Sequence, residues 1–236
     1  MNLAFKWLTM NSSRVYLERF LRRAASEIKP GSRVLDAGAG DEIYRSLFSQ
    51  THYESTDFGQ SAGMAYAPMS YVSDLAHLPI QNDSYDALIC TQVLEHVPNP
   101  QQVLNELFRV MKPGGQLWLT TPLFFEEHMQ PHDFFRYTRF GLQHLLSEAG
   151  FVVEKIEELE GYHGTLAYQM RLAARAMPIS PAAFGGGLVG VLAAGLAIVL
   201  KPTFALLSLL WMRLDLRHKW ITTGMCKNFS VVAQKV

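Results

Sequence analysis

Short apolar runs alternate with amphipathic stretches along the first two thirds of the chain. The apolar runs predict strands at residues 33–37, 53–56, 71–74, 85–90, 116–120 and 151–156. The amphipathic stretches predict helices at residues 11–28, 43–48, 103–111 and 138–149. Strands that alternate with helices in this way are typical of a parallel, doubly wound sheet.

The turn after the first predicted strand carries the most informative residues. Asp36 lies near the end of the strand, and Gly38 and Gly40 allow the backbone to bend and a ligand to approach closely. The helical pattern from Ile43 to Phe48 follows at once. The segment therefore predicts a strand, a tight turn and a helix start that offers N–H groups and a positive dipole end to a ligand.

Two phosphate-binding interpretations of this turn do not fit. The dinucleotide fingerprint needs a third glycine three residues after the second, where this chain has Ile43, and the phosphate loop needs a Gly-Lys-Ser/Thr ending that is missing. A carboxylate at Asp36 repels phosphate but suits an ammonium or sulfonium group. The turn favours a cationic, amino-acid-like ligand, and a purely structural turn remains the alternative.

Three acidic residues follow neighbouring predicted strands. Asp57 lies 21 residues after Asp36, about where an acid at the next strand tip can reach a ribose hydroxyl, and Asp74 ends the third predicted strand. Ligands of doubly wound sheets bind beyond the carboxyl ends of the strands. Three acids at that edge are a more specific indication of a binding site than any one of them alone.

Composition narrows the function classes. The 236 residues include 21 Lys and Arg and 21 Asp and Glu, so the net charge gives no support for nucleic acid as a general partner. Cys90 and Cys226 are too few for a disulfide framework or a metal cluster, which fits a reducing cytosolic compartment. The first ten residues contain Lys6 and no cleavage site, so they do not read as a secretory signal.

Five segments carry a resemblance to a known family. They are Val34–Gly40, Asp57, residues 74–79 with Ser84-Tyr85-Asp86, Val93-Leu94-Glu95-His96-Val97, and residues 107–115, which end in Lys-Pro-Gly-Gly. Together they resemble the class I S-adenosylmethionine-dependent methyltransferases of the type 11 kind, over residues 31 to 156. One departure is that Asp41 and Glu42 stand where many members have a further small residue.

The resemblance implies a Rossmann-like α/β fold with a seven-stranded sheet whose last strand is antiparallel. Residues 228–233 are the candidate for that strand. S-adenosylmethionine is the implied cofactor. The residues implied to bind it are Asp36, Ala37, Gly38, Ala39, Gly40, Asp57, Asp74, Leu75 and Gln92.

The loop after the fifth predicted strand is where an acceptor would lie. His132 beside Asp133 is a candidate oriented base, and His128 is a second candidate. Arg136 and Tyr137 are candidate substrate-binding residues, since a guanidinium can hold a phosphate or carboxylate. The alternative is that these side chains only order the loop. No metal site is predicted. The string from His132 to Thr138 is similar to one in relatives associated with cell-surface glycan synthesis.

An uncharged apolar run from residue 182 to 200 is long enough for a membrane-spanning helix, and a shorter run at 203–212 follows Lys201-Pro202. Positive residues flank both runs, and a returning last strand forbids a single crossing. These features predict a re-entrant or interfacial helical hairpin that contacts the inner membrane face through residues 182–212. A helical cap or a dimer surface is the alternative.

The sequence thus predicts a helical lead-in at 1–30, a methyltransferase core at 31–160 and 226–236, and an apolar helical insertion at 161–225. The leading hypothesis is methylation of a small or lipid-linked acceptor, such as a cell-surface glycan precursor, by a cytoplasmic enzyme at the inner membrane face. Methylation of a lipid or quinone is the second hypothesis. A non-catalytic S-adenosylmethionine-binding or scaffold module is the third.

Overall fold

The structure is a computed structural model that describes residues 12–59 and 68–236. Within them, seven strands form one sheet in the order β3-β2-β1-β4-β5-β7-β6. The strands are β1 Arg33–Ala37, β2 His52–Asp57, β3 Tyr71–Val72, β4 Tyr85–Thr91, β5 Met111–Pro122, β6 Val152–Glu158 and β7 Asn228–Gln234. The part of the predicted lead-in before Ser12, including Lys6, lies outside the described residues.

The sheet is parallel except at β7. β1 pairs in parallel with β2 on one side and β4 on the other, whereas β7 runs antiparallel between β5 and β6. The strand order reverses between β1 and β4, which creates the crevice where such sheets bind ligands. The predicted Rossmann-like sheet with an antiparallel last strand is confirmed.

The helices are α1 Ser12–Glu27, α2 Pro100–Val110, α3 Arg139–Glu148, α4 Tyr162–Ala176 and α5 Gly187–Arg217. Their ends follow local rules. Asn99 caps α2 through its side chain, with Pro100 in the first turn, and Thr138 caps α3 by accepting a hydrogen bond from the Gly141 N–H at 3.1 Å. Gly150 follows α3 with φ of 97°, a conformation that favours glycine.

The centre of the sheet is apolar on both faces. Leu35, Leu88 and Leu117 are fully buried on β1, β4 and β5, and Trp118 packs its ring on Phe20 of α1 with centroids 5.3 Å apart. Burial of each such side chain contributes about 1.5–3 kcal/mol, which fixes the strands that carry the candidate site.

The predicted helix at 43–48 is wrong. Only a four-residue 3-10 helix, Arg45–Phe48, forms there. The chain turns back after Phe48 so that β2 can begin at His52, which leaves room for only a short helical segment. The turn after β1 therefore lacks the positive end of an α-helix dipole.

The chain divides into two units. Among the described residues, one unit comprises 16–59, 68–159 and 227–236 and contains the whole sheet, and the other comprises 12–15 and 160–226 and contains α4 and α5. Most of α1 belongs to the unit of the sheet, and not to a separate lead-in.

The insertion differs from the predicted hairpin in where it turns. Pro202 lies inside α5, and the 31-residue helix continues unbroken past Lys201. The two arms are instead α4 and α5, joined through a 3-10 helix at Pro181–Phe184. Lys201 had suggested a break between the two apolar runs. It instead donates from Nζ to the carbonyl of Met177, just after α4, at 3.0 Å.

One stripe of α5 is buried and the rest is exposed. Gly190, Ala194 and Ala197 lie on the buried stripe, at helical spacing. α5 is the described helix that is long and apolar enough to cross a membrane by length and composition, with a mean hydropathy of 2.0 in its most apolar window. Only 17% of that window is buried, which distinguishes α5 from the core helix of a soluble protein.

Two glycines of α5 should respond oppositely to alanine. A Cβ at Gly190 would lie 2.5 Å from the carbonyl oxygen of Pro181, whereas one at Gly195 would meet nothing within 4 Å. We expect Gly190→Ala to destabilise the α4–α5 unit by about 1–3 kcal/mol through overpacking. Gly195→Ala should stabilise it by up to about 1 kcal/mol through helix propensity. Thermal unfolding in mild detergent measures both, and equal shifts would contradict this packing.

Candidate active site

Asp36 lies on β1 at the point where the sheet order reverses. It is 5% exposed, and the Tyr53 hydroxyl on β2 donates to its Oδ2 at 2.6 Å. Burial raises the pKa of the Asp36 carboxyl to about 6, and the nearby carboxylates of Glu42 and Asp57 add to the rise, while the Tyr53 hydrogen bond opposes it. A buried carboxylate with a single hydroxyl partner is a strong site for a cationic ligand.

The backbone turn after β1 is held by β2. The N–H groups of Gly38 and Ala39 donate to the carbonyl of Thr56 at 2.8 and 3.1 Å, and the Gly40 N–H donates to Asp57 Oδ2 at 3.1 Å. Gly38 has a φ of 84°, and a Cβ there would lie 2.3 Å from the Val93 side chain. Glycine at this position therefore lets the turn pack closely on the segment after β4.

Glu42, which departs from the family pattern, folds back onto the sheet. Its Oε1 accepts a short hydrogen bond from the Ser55 hydroxyl, and its Oε2 pairs with Arg45 at 2.7 Å. Only 6% of the Glu42 side chain is exposed. The departure thus contributes a buried bond between the turn and β2 and leaves the glycine turn intact.

The other predicted cofactor residues lie along the same edge. Asp57 Oδ1 accepts from the Gly59 N–H at 3.1 Å, and Asp74 Oδ1 accepts from the Ala76 N–H at 2.9 Å. Gln92 follows β4 with a φ of 56° and donates from Nε2 to Thr120 Oγ1 at 3.1 Å. Leu75 is 5% exposed. Each carboxylate keeps lone pairs that can accept from ligand hydroxyls.

Arg109 holds the loop that leads from Asp74 towards β4. Its guanidinium donates to the carbonyls of Leu78 at 3.0 Å and Ile80 at 2.7 Å, and it pairs with Glu106 on the same helix at 2.8 Å. This contact gives a physical role to part of the 107–115 segment that carried the family resemblance. It positions the cofactor edge without touching it.

The predicted substrate-binding role of Arg136 does not agree with its contacts. All five guanidinium N–H groups have partners: both carboxylate oxygens of Asp133, at 2.7 and 2.8 Å, and the backbone carbonyls of Phe125, Glu126 and Phe135. Arg136 therefore orders the loop after β5. Tyr137 is also structural, since it is 5% exposed and its hydroxyl donates to the carbonyl of Leu94 at 2.7 Å.

The predicted pairing of His132 with Asp133 is also corrected. Asp133 accepts from the His128 N–H at 2.8 Å, and its Oδ2 lies 3.3 Å from His128 Nδ1. The Arg136 guanidinium, as the strongest influence, holds the pKa of Asp133 well below its usual range. Asp133 thus orients His128, while the imidazole of His132 is exposed at the loop surface.

Glu95 and His96, which follow β4, also belong to this site. In the sequence they were noted only as part of the motif Val93-Leu94-Glu95-His96-Val97. Glu95 is fully buried, and burial raises the pKa of its carboxyl to about 8. His96 Nδ1 donates to the carbonyl of His132 at 2.7 Å, and its ring contacts that of His128 edge to face, with centroids 4.6 Å apart. Burial lowers the pKa of His96, so its ring is neutral at pH 7.

Comparison with known families identifies the family of proteins to which this chain belongs. A family model described as a methyltransferase domain matches residues 10–156, more than half of the chain. The chain belongs to this methyltransferase family. Membership of the family identifies S-adenosylmethionine as the cofactor, as the resemblance implied.

Curated relatives match about half of the methyltransferase. The ubiquinone biosynthesis O-methyltransferase of Psychrobacter cryohalolentis is 27% identical over 133 residues, which cover 50% of this chain and 52% of the relative. The probable tRNA methyltransferase 9B of Homo sapiens is 32% identical over 105 residues, which cover 42% of this chain and 23% of the relative. The chain thus spans about half or less of the curated relatives it matches.

A solved structure extends the likeness over nearly the whole methyltransferase. The S-adenosylmethionine-dependent methyltransferase of Archaeoglobus fulgidus superposes with a TM-score of 0.56 at 17% identity, covering 94% of each chain. At this identity the likeness shows the fold alone.

The residues of the carboxyl edge fit S-adenosylmethionine. Buried Asp36 suits the cationic amino-acid end, Asp57 offers oxygens for ribose hydroxyls, and Gly38 leaves no side chain over the turn. The fit rests on buried acids and a close backbone approach, and it needs no helix dipole. A short 3-10 helix after the turn is therefore compatible with cofactor binding, and a full α-helix is not required.

Asp36→Asn should separate cofactor binding from stability. A folded-state pKa of about 6, above the ordinary value of 3.8 for an Asp carboxyl, means that the folded chain holds the proton more tightly. This contribution to stability is fully present below pH 3.8 and is lost as the pH rises through about 6. At pH 7 we expect Asp36→Asn to be more stable than the wild type by up to about 3 kcal/mol. It should bind S-adenosylhomocysteine about 10-fold or more weakly, because the negative charge is lost.

The matched control is Asp41→Asn, an exposed acid of the same turn. Thermal unfolding between pH 4 and 8 and calorimetric titration with S-adenosylhomocysteine measure the two effects. Asp41→Asn should change neither. Unaltered binding by Asp36→Asn would remove Asp36 from the cofactor site.

Proposed function

We propose that this methyltransferase transfers a methyl group to a hydroxyl oxygen of an amphipathic acceptor held at the inner face of a membrane. The observation that carries the proposal is the exposed apolar surface of α5. Leu192, Leu196 and Val199 are 66%, 59% and 62% exposed on it. A contiguous apolar surface of this kind is typical of a membrane or partner contact.

A quinone or lipid is the acceptor class that we favour. The relatives named for ubiquinone biosynthesis are O-methyltransferases, which supports a quinone-type acceptor. The resemblance of residues 132–138 to glycan-associated relatives supports a lipid-linked glycan precursor as the second candidate. Both classes combine a polar reacting group with an apolar anchor.

The chain's own residues supply orientation and a proton acceptor. The cofactor, when bound, supplies a methyl group that is already activated by the sulfonium. The acceptor oxygen forms the new bond to carbon, the carbon–sulfur bond breaks with its electron pair on sulfur, and the hydroxyl proton must leave. Orientation in such a site contributes about 7–11 kcal/mol, and a general base about 10²–10⁴-fold.

His132 is the residue we assign as the proton acceptor. Its imidazole is exposed on the loop after β5, while its carbonyl fixes the backbone position through His96. The intact acids of the cofactor edge and this polar loop also argue against a non-catalytic binding module. Asp133 and Arg136 contribute by holding the loop in place.

Deletion of the gene should remove one methyl group from a lipid-soluble phenol, quinone or lipid-linked glycan, as detected by mass spectrometry of extracted lipids and glycans. Wild-type protein should restore it. His132→Ala should restore it poorly, with kcat lowered about 10²-fold or more and S-adenosylhomocysteine affinity unchanged, because only proton transfer is lost. His144→Ala, an exposed histidine of α3, is the control. Near-normal turnover by His132→Ala would remove the base role.

Membrane contact can be tested separately with vesicles that contain anionic lipid. We expect the protein to sediment with the vesicles. Leu192→Asp combined with Leu196→Asp should lower its affinity for them at least about 10-fold, because charge on the apolar face cannot be buried in lipid. The control variant Phe140→Asp alters an apolar residue of α3 that is even more exposed, at 79%, and this variant should sediment with the vesicles like the wild type. Wild-type protein that stays in the supernatant would refute the membrane proposal but leave methyl transfer standing.

A further inference from the structure

Three potential metal-binding side chains converge next to the cofactor edge. Glu95 and His96 lie in the 3-10 helix Leu94–His96 after β4, and His128 lies in the loop after β5. One donor atom of each lies within 4.8 Å of the other two. The parallel pairing of β4 with β5 brings these two segments together, although they are more than thirty residues apart in sequence.

Glu95 is the least explained side chain of this group. It is 0% exposed, and neither of its carboxylate oxygens has a hydrogen-bond partner within the described residues. The nearest ion-pair contact is His96 Nε2, at 3.8 Å from Oε1. A buried carboxylate without hydrogen bonds is costly unless it is paired or coordinates a metal.

The two histidines are already oriented as metal ligands usually are. His96 Nδ1 lies 2.7 Å from the carbonyl of His132, and His128 Nδ1 lies 3.2 Å from the carbonyl of Glu126 and 3.3 Å from Asp133 Oδ2. Ligating imidazoles commonly donate one N–H to a carbonyl or carboxylate, which fixes the ring and leaves the other nitrogen for the metal. Here the nitrogen left is Nε2 of each ring.

We propose that Glu95, His96 and His128 bind a divalent transition-metal ion of the Zn²⁺ type beside the cofactor edge. One carboxylate and two imidazoles are a donor set that suits Zn²⁺, and three protein ligands leave a fourth position open. Tetrahedral donors about 2.1 Å from an ion lie about 3.4 Å from one another, so the widest pair, up to 4.8 Å apart here, closes by about 1.4 Å on binding.

The charges around the group permit a cation. Asp133 contributes a carboxylate whose side chain is only 4% exposed, behind His128. Arg136 is the guanidinium that acts on Glu95, and both oxygens of Asp133 neutralise it. The site therefore differs from the sequence expectation of no metal, and Asp133 and the His132 carbonyl hold the two histidine ligands in place.

The open position has a use if the proposed function holds. An acceptor hydroxyl bound there would lose its proton more easily, since a bound divalent ion lowers the pKa of a coordinated oxygen. The proton would then pass to His132 or to water. This use of the ion rests on the proposed function, whereas binding of the ion does not.

Calorimetric titration of the metal-stripped full chain with ZnCl₂ tests the site directly. We expect saturable binding of one ion per chain, and weakening by about 10–100-fold or more in both His128→Ala and Glu95→Gln. Replacement by Co²⁺ should add visible absorption typical of a nitrogen- and oxygen-bound ion. His144→Ala and Glu148→Gln, exposed residues of α3, should bind like the wild type.

Binding of S-adenosylhomocysteine and the circular dichroism spectrum show whether a variant is folded, and His128, 29% exposed, can be truncated without opening the core. Absence of saturable Zn²⁺ binding, or equal loss in the α3 controls, overturns the metal site. Zn²⁺ binding with no methyl transfer to any lipid or quinone would overturn the proposed function and leave the metal site standing.

Discussion

The pairing of β1 between β2 and β4 is the constraint on which the rest of the structure depends. Since both pairings are parallel, the segments that follow these strands emerge at one edge, and the reversal of strand order opens a crevice there. Burial of Leu35 and Leu88 fixes the register. A slip of one residue would move these side chains to the opposite face of the sheet and displace the acidic residues from the turn.

The same edge concentrates groups that oppose stability. Asp36 and Glu95 are buried acids whose carboxyl pKa values are raised by burial, so each costs folding energy when ionised. Such costs are common where a cationic ligand or a metal ion is to be bound. The Tyr53 hydroxyl offsets part of the cost at Asp36, and the contacts of Asp133 and Arg136 keep the neighbouring loop in place.

The unit of α4 and α5 follows a different physical logic. Small residues such as Gly190 and Ala194 form its buried stripe, so the large apolar side chains of α5 remain on the outside. A soluble helix pair would place them inside, where they would stabilise the fold. The distribution therefore suits an apolar environment, and it supports a membrane-borne acceptor independently of the chemistry at the sheet.

The sequence by itself determined the strand–helix alternation, because apolar periodicity and short turns are local properties, and the family resemblance of its motifs implied the antiparallel last strand. The tertiary structure decided which side chains meet. Residues 45–48 form only a 3-10 helix because the chain must return to begin β2 at His52. Pro202 lies inside a helix that continues on both sides of it, and Asp133 turns to His128 instead of adjacent His132. The Glu95 group could not be read from sequence spacing, since only the pairing of β4 with β5 brings His128 to Glu95.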